Sequence, residues 1–143
     1  VAVMEDGERQ DAYRDACLIQ AAVAARGNAY APYSGFAVGA AVEDESGRIF
    51  AGCNVENAAY PEGTCAEAGA IAAMVAAGGR GLRRVIVCGG GPQPCFPCGG
   101  CRQKIREFAA ASVAIGMVDA DGNMLARRSL ADLLPDAFGP ENL

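Results

Sequence analysis

The chain contains no histidine, and that absence closes more chemistry than any other feature of its 143 residues. Without an imidazole there is no Ser-His-Asp or Cys-His nucleophile, no His-ligated zinc and no axial His for a haem. Any metal must be held by Cys or carboxylate. Basic residues are outnumbered too: 12 Lys and Arg face 17 Asp and Glu, for a formal charge of -5. Nucleic-acid binding rests mostly on Lys and Arg neutralising phosphates, so a polyanion is not the expected partner and a small uncharged or cationic substrate fits better. The 19 Gly and 7 Pro are too few for a low-complexity chain, and 52% apolar residues suffice for one core spanning a single domain, residues 1–143. No long apolar run exists. The least charged stretches, residues 27–42 and 85–101, are broken by Pro, Gly, Ser or Asn, which predicts no membrane association. Val1 to Gln10 carries Glu5, Asp6 and Glu8 and lacks the basic-then-apolar profile of a signal peptide. Seven Cys are an odd number and too sparse for a secreted disulfide scaffold, so the thiols are expected reduced and the location cytoplasmic.

The periodicities that are present alternate between helix and strand. Ala12, Ala16, Ile19 and Val23 form an apolar stripe that predicts a helix over Asp11–Arg26, ended by Gly27-Asn28. Phe36–Val42 and Arg48–Val55, joined by Glu43–Gly47, read as a β-hairpin. Thr64 stands where an N-cap belongs, with Glu67 three residues on, ahead of an Ala-dense helix over Ala66–Ala77. Val85-Ile86-Val87 reads as a buried strand within Leu82–Cys88. A helix over Gly99–Ala110, a strand over Ser112–Val118, a turn at Asp119–Asn123, a strand over Met124–Arg127 and a Ser129-capped helix over Leu130–Leu134 complete the chain. That order predicts an α/β domain with a mixed sheet covered by helices.

Reactive groups concentrate at two of these helix starts. Cys98 and Cys101, three apart, can turn both sulfurs toward one point, and Cys65 can supply a third from the preceding helix. Three Cys ligands leave a tetrahedral zinc with one position open to water, whose acidity the ion raises. Glu67, two residues after Cys65, is placed to carry that water's proton without ligating the metal. Its structural reading is also sound, since a carboxylate in the first helical turn is favoured by capping and by the helix dipole. Cys17, Cys53 and Cys88 read as core thiols. Cys95 completes a C-x-x-C-x-x-C run with Cys98 and Cys101, but an iron-sulfur site of that type needs a further Cys at 105, which is Ile. As a fourth ligand, Cys95 would instead close a structural zinc site with no turnover.

Cys65-Ala66-Glu67 followed by Pro97-Cys98-Gly99-Gly100-Cys101 resembles the three-Cys signature of the zinc nucleoside deaminases, specifically the small cytidine deaminases. Residues 33–41, 52–60, 97–103 and 133–140 extend the resemblance over nearly the whole chain. The resemblance implies a three-layer α/β/α sandwich with a five-stranded mixed sheet, one Zn²⁺ per chain on Cys65, Cys98 and Cys101, and Glu67 as catalytic proton carrier. It implies deamination of cytidine or deoxycytidine in pyrimidine salvage, with Asn54 and Glu56 on the sugar, Tyr60 at the pocket wall, Phe36 beside the base and the Ala66 backbone reading the pyrimidine. It further implies a homotetramer in which Phe138 closes a neighbouring subunit's pocket. One departure stands out. Three-Cys members usually carry Arg directly after C-A-E, to offset thiolate charge, where this chain has Ala68. The compensation left is the positive ends of two helices, with Arg102 as a candidate substitute. The alternative implied by Ala68 is a zinc hydrolase for another amino-bearing nucleoside or base, or an N4-modified cytidine.

Overall fold

The computed structural model describes residues 2–143; Val1 lies outside the described residues. Helix α1 spans Asp6–Arg26 and starts five residues before the expected point, because the Glu8 carboxylate accepts the otherwise orphaned N–H of Glu5. Strands β1 (Gly39–Asp44) and β2 (Ile49–Cys53) form the expected hairpin, followed by helix α2 (Ala66–Ala76) and strand β3 (Leu82–Cys88). Helix α3 (Gly99–Phe108), strands β4 (Ala109–Val118) and β5 (Met124–Ser129) and the short helix α4 (Leu130–Leu133) complete the order. Ser129 caps α4 as expected, its hydroxyl accepting from the N–H of Asp132.

The five strands lie in the order β2-β1-β3-β4-β5, with β3 and β4 parallel and the other pairs antiparallel. A parallel pair needs a crossover, and α3 supplies it. Period-two alternation divides the core in two. Val42, Val85, Val87, Ile115 and Met117 face α2, α3 and α4, while Ala41, Ile86, Cys88 and Val118 face α1. Helices on both faces make the expected three-layer arrangement.

The apolar stripe of α1 is displaced by one residue from its expected position. Leu18 and Ala22 are fully buried, Ile19 and Val23 are half-buried, and Ala12 and Ala16 are exposed. Continuing the buried line backward at helical spacing reaches Asp15 and Asp11, and both bind Arg84 of β3. The helix thus meets the sheet through carboxylates in its first half and aliphatic groups in its second, which a search for apolar periodicity alone does not register.

Candidate active site

Helix α2 is seated against β2 by a close approach: a Cβ on Gly52 would stand 2.5 Å from both the Ala66 carbonyl oxygen and the Ala70 nitrogen. Only glycine allows the helix start to lie that near the strand. The N-cap of α2 is Cys65, not Thr64, which pairs through its backbone with Val55. Cys98 caps α3 in the same way, and Cys101 sits in the first turn of that helix. Two helix N-termini therefore carry the three sulfurs, all within 4.8 Å of one another. The Cys65 and Cys98 sulfurs are 3.8 Å apart. Two thiolates bound to one tetrahedral zinc at roughly 2.3 Å are themselves separated by about 3.8 Å, so the donor set fits that ion.

Glu67 completes the cluster. It is 4% exposed, and its Oε2 lies 3.5 Å from the Cys101 sulfur. Burial raises the Cys65 thiol, as does the neighbouring Cys98; burial and the Glu67 charge push Cys101 up much further. Cys98 moves the other way, chiefly because the Cys101 N–H donates to its sulfur. One thiolate is accommodated by the helix start, and deprotonating all three requires a cation.

Among the described residues, no arginine is hydrogen-bonded to these sulfurs. Arg102 donates to the carbonyl oxygens of Pro97 and Leu133, 2.7 Å from each, and among the described residues no hydrogen bond joins it to a sulfur. The expectation that Arg102 replaces the missing Arg at position 68 is therefore not met: its guanidinium fixes the loop ahead of Cys98 to α4. Compensation comes from the N-termini of α2 and α3. Cys95 lies outside the three-sulfur group, half-buried against the core. The closed four-Cys site that a structural zinc would prefer is not formed.

The remaining expected residues divide into a cleft and its frame. Glu56 and Tyr60 line a cleft of about 420 Å³ together with Tyr33, Ser34, Asn57 and Gly63, the last two residues before Cys65. The Glu56 carboxylate accepts from the N–H groups of Tyr33 and Ser34 at 2.9 and 3.1 Å. Hydrogen bonding, led by Ser34, holds its pKa below the usual carboxylate value. Phe36, Asn54, Ala66 and Phe138 are not among the cleft walls. Asn54 instead pins the chain entering β1, accepting from the Val38 N–H and donating to the Phe36 carbonyl, both at 2.8 Å. Ala66 is buried at the first position of α2, and Phe138 is exposed, its carbonyl accepting from Gln103. Tyr33, Ser34 and Asn57 were not singled out from the sequence as site residues; the signal was their place inside the segments that carry the family resemblance.

A buried carboxylate beside three convergent thiols on an α/β sheet suits a metal-dependent hydrolytic site. Residues 13–117 match the family described as cytidine and deoxycytidylate deaminase zinc-binding region. The cytidine deaminase of Sporosarcina psychrophila is 41% identical over 88% of this chain and 92% of its own length. The crystal structure of cytidine deaminase from Burkholderia pseudomallei aligns with a TM-score of 0.80 and 44% identity, covering 86% of this chain and 98% of that one. That of Mycobacterium tuberculosis aligns at 0.76 and 40%, over 87% and 96%. The chain belongs to the cytidine and deoxycytidylate deaminase zinc-binding family.

Proposed function

We propose that the protein catalyses hydrolytic deamination of cytidine and deoxycytidine to the uridine nucleosides and ammonia, with Cys65, Cys98 and Cys101 holding one Zn²⁺ and Glu67 moving the protons. One observation carries the reading: three sulfurs lie within 4.8 Å of one another, two of them 3.8 Å apart as on a tetrahedral zinc, with a buried carboxylate 3.5 Å from the third. When bound, zinc would supply Lewis-acid activation of water. Glu67 would take one proton from the water that adds to ring C4 and pass it to N3, then take the remaining proton of the new C4 hydroxyl and pass it to the amine as the C4–N4 bond breaks. Water and cytidine are consumed; uridine and ammonia leave.

Glu56 suits a sugar hydroxyl because the Tyr33 and Ser34 backbone N–H groups both donate to its Oε1, which fixes the carboxylate at the cleft and leaves Oε2 free to accept. Asn54 contributes by holding the Phe36 segment, with the second N–H of its amide left to donate to the ribose, Phe36 beside the base and Tyr60 at the pocket wall. The Ala66 backbone, at the positive end of α2, reads the pyrimidine edge. Phe138 is 58% exposed and absent from its own chain's cleft, which supports its closing the pocket of a neighbouring copy within a homotetramer. A net charge of -5 suits a neutral nucleoside rather than nucleic acid. No described helix is long and apolar enough to cross a membrane, and a cytoplasmic salvage role accords with the free thiols.

The test is ammonia release from cytidine, deoxycytidine, cytosine, adenosine and N4-substituted cytidines by zinc-loaded protein, alongside sedimentation to establish the assembly. Release from the first two alone supports the proposal. Inert cytidine with active N4-substituted substrates would replace it by the reading that Ala68 suggests.

A further inference from the structure

Arg26, in the last turn of α1, belongs to no motif, yet its side chain touches both segments that lead into the site. Its Nε donates to the Ala37 carbonyl at 3.0 Å, between the two backbone groups of Phe36 and Val38 that Asn54 holds. The other end of the guanidinium lies over Gly90, where a Cβ would fall 2.1 Å from Nη2 and 3.0 Å from Cζ. Gly89, next to it, packs against Phe36 and Cys95: its Cβ position is 3.7 Å from the Phe36 ring and 2.6 Å from the Cys95 Cβ. The backbone of α1 is itself fixed there, because Gly39 at the start of β1 leaves room for nothing larger beside Ala22 and Arg26. Burial raises the Cys88 thiol, and the Arg26 charge opposes that rise, which places the same cation beside the end of β3.

We infer that Arg26 is a positioning residue for the reaction proposed above: it clamps the Phe36–Val38 segment to the Gly89–Cys98 loop, fixing the distance between the base-flanking ring and the helix that carries two of the sulfurs. The inference rests on that reading for its functional part and on contacts alone for its structural part. A carbonyl bonded to a guanidinium is a charge-assisted contact, so losing the cation costs more than losing a neutral partner. Neither segment has regular secondary structure between residues 34–38 or 89–98, so side-chain clamps supply what a ladder would.

The experiment compares Arg26→Gln, Arg26→Lys, Gly90→Ala and the Arg26→Gln/Gly90→Ala double variant, each zinc-loaded. Hydrogen exchange over residues 36–38 and 89–98 is read without turnover, and KM and kcat for cytidine are read separately. Arg26→Gln is expected to speed exchange in both segments and raise KM about tenfold, with zinc content unchanged and kcat lowered less than KM is raised. Arg26→Lys recovers most of the protection. Gly90→Ala reproduces the loosening by displacing the guanidinium, and adds little once Arg26 is Gln, which is the coupling expected of two residues acting through one contact. Unchanged exchange in Arg26→Gln, or additive effects in the double variant, overturns the clamp. Loosened exchange in a protein whose wild type leaves cytidine unchanged keeps the clamp and removes the substrate reading; should Arg26→Gln fail to fold, Gly90→Ala and Arg26→Lys carry the same comparison.

Discussion

Buried acids occur at both ends of this sheet, and they are neutralised in opposite ways. On the α1 side, Glu43 is 1% exposed and meets Arg14 at 2.7 Å and Arg84 at 3.0 Å, while Asp11 and Asp15 share Arg84 and Asp15 also meets Arg127. At the helix starts of α2 and α3, three thiols and Glu67 gather, and among the described residues no guanidinium or ammonium is hydrogen-bonded to any of them. The first cluster takes its counter-charge from side chains and staples a helix to a sheet, although the Glu43 Oε2 that faces Arg84 has no hydrogen-bond partner among the described residues. Among the described residues the second has acids and helix dipoles only, so the proposed zinc would supply its counter-charge. Burial of ionisable groups therefore does not by itself distinguish structure from function; the identity of the counter-charge does.

The largest effect expected from that contrast is on turnover. Replacing Glu67 by Ala should lower the rate of cytidine deamination by roughly 10²- to 10⁴-fold while zinc content stays at one per chain, measured by ammonia release and metal analysis on the same sample. Loss of zinc together with activity would place Glu67 among the ligands and erase the distinction between acid and metal. Glu43→Ala should do the reverse, leaving kcat/KM near its original value and removing roughly 1–3 kcal/mol of stability, because Arg14 loses its partner while Arg84 keeps Asp11 and Asp15. Urea unfolding at fixed zinc concentration reads it. A stability change below about 1 kcal/mol would mean that the arginines relax into solvent and the staple is not a staple.

Legibility from the sequence follows the same division. The three sulfurs and Glu67 could be placed because metal ligation imposes spacing, C-A-E and P-C-x-x-C, that survives without a structure. The helix-strand order could be read because aliphatic periodicity reports burial directly. What could not be read are contacts between charged groups distant in sequence: Asp11 and Asp15 look like solvent residues until Arg84 is found beneath them, and the stripe consequently appears one residue out of place. Cys65 rather than Thr64 as the N-cap was hidden for a related reason, since Thr64 is the better capping residue by propensity and is withdrawn by its backbone pairing with Val55. Arg26 and Asn54 share that cause, as their partners are backbone carbonyl or amide groups, which every residue offers.

A smaller effect should appear in acid. Burial opposes ionisation of Asp44, but hydrogen bonds from Ser46 and from the Arg48 backbone and side chain outweigh it and hold its pKa at about 2, below the model-peptide value of 3.8. A depressed folded-state pKa means that the stabilisation is fully present above 3.8 and is lost as pH falls toward 2. Urea midpoints measured down through that window should fall more steeply for the wild type than for Asp44→Asn. Parallel slopes would show that the β1–β2 turn does not depend on the charged carboxylate.

In the proposed centre Cys65, Cys98 and Cys101, and no fourth side chain, hold the metal. Zinc stoichiometry and affinity, measured by competition with a chromophoric chelator for the wild type, Cys101→Ser and Cys95→Ser, test it most directly. The account predicts one zinc per chain in the wild type, at least a hundredfold weaker binding in Cys101→Ser, about 2.7 kcal/mol or more, and unchanged binding in Cys95→Ser. Equal weakening in both variants would contradict it and make the centre a closed, structural one.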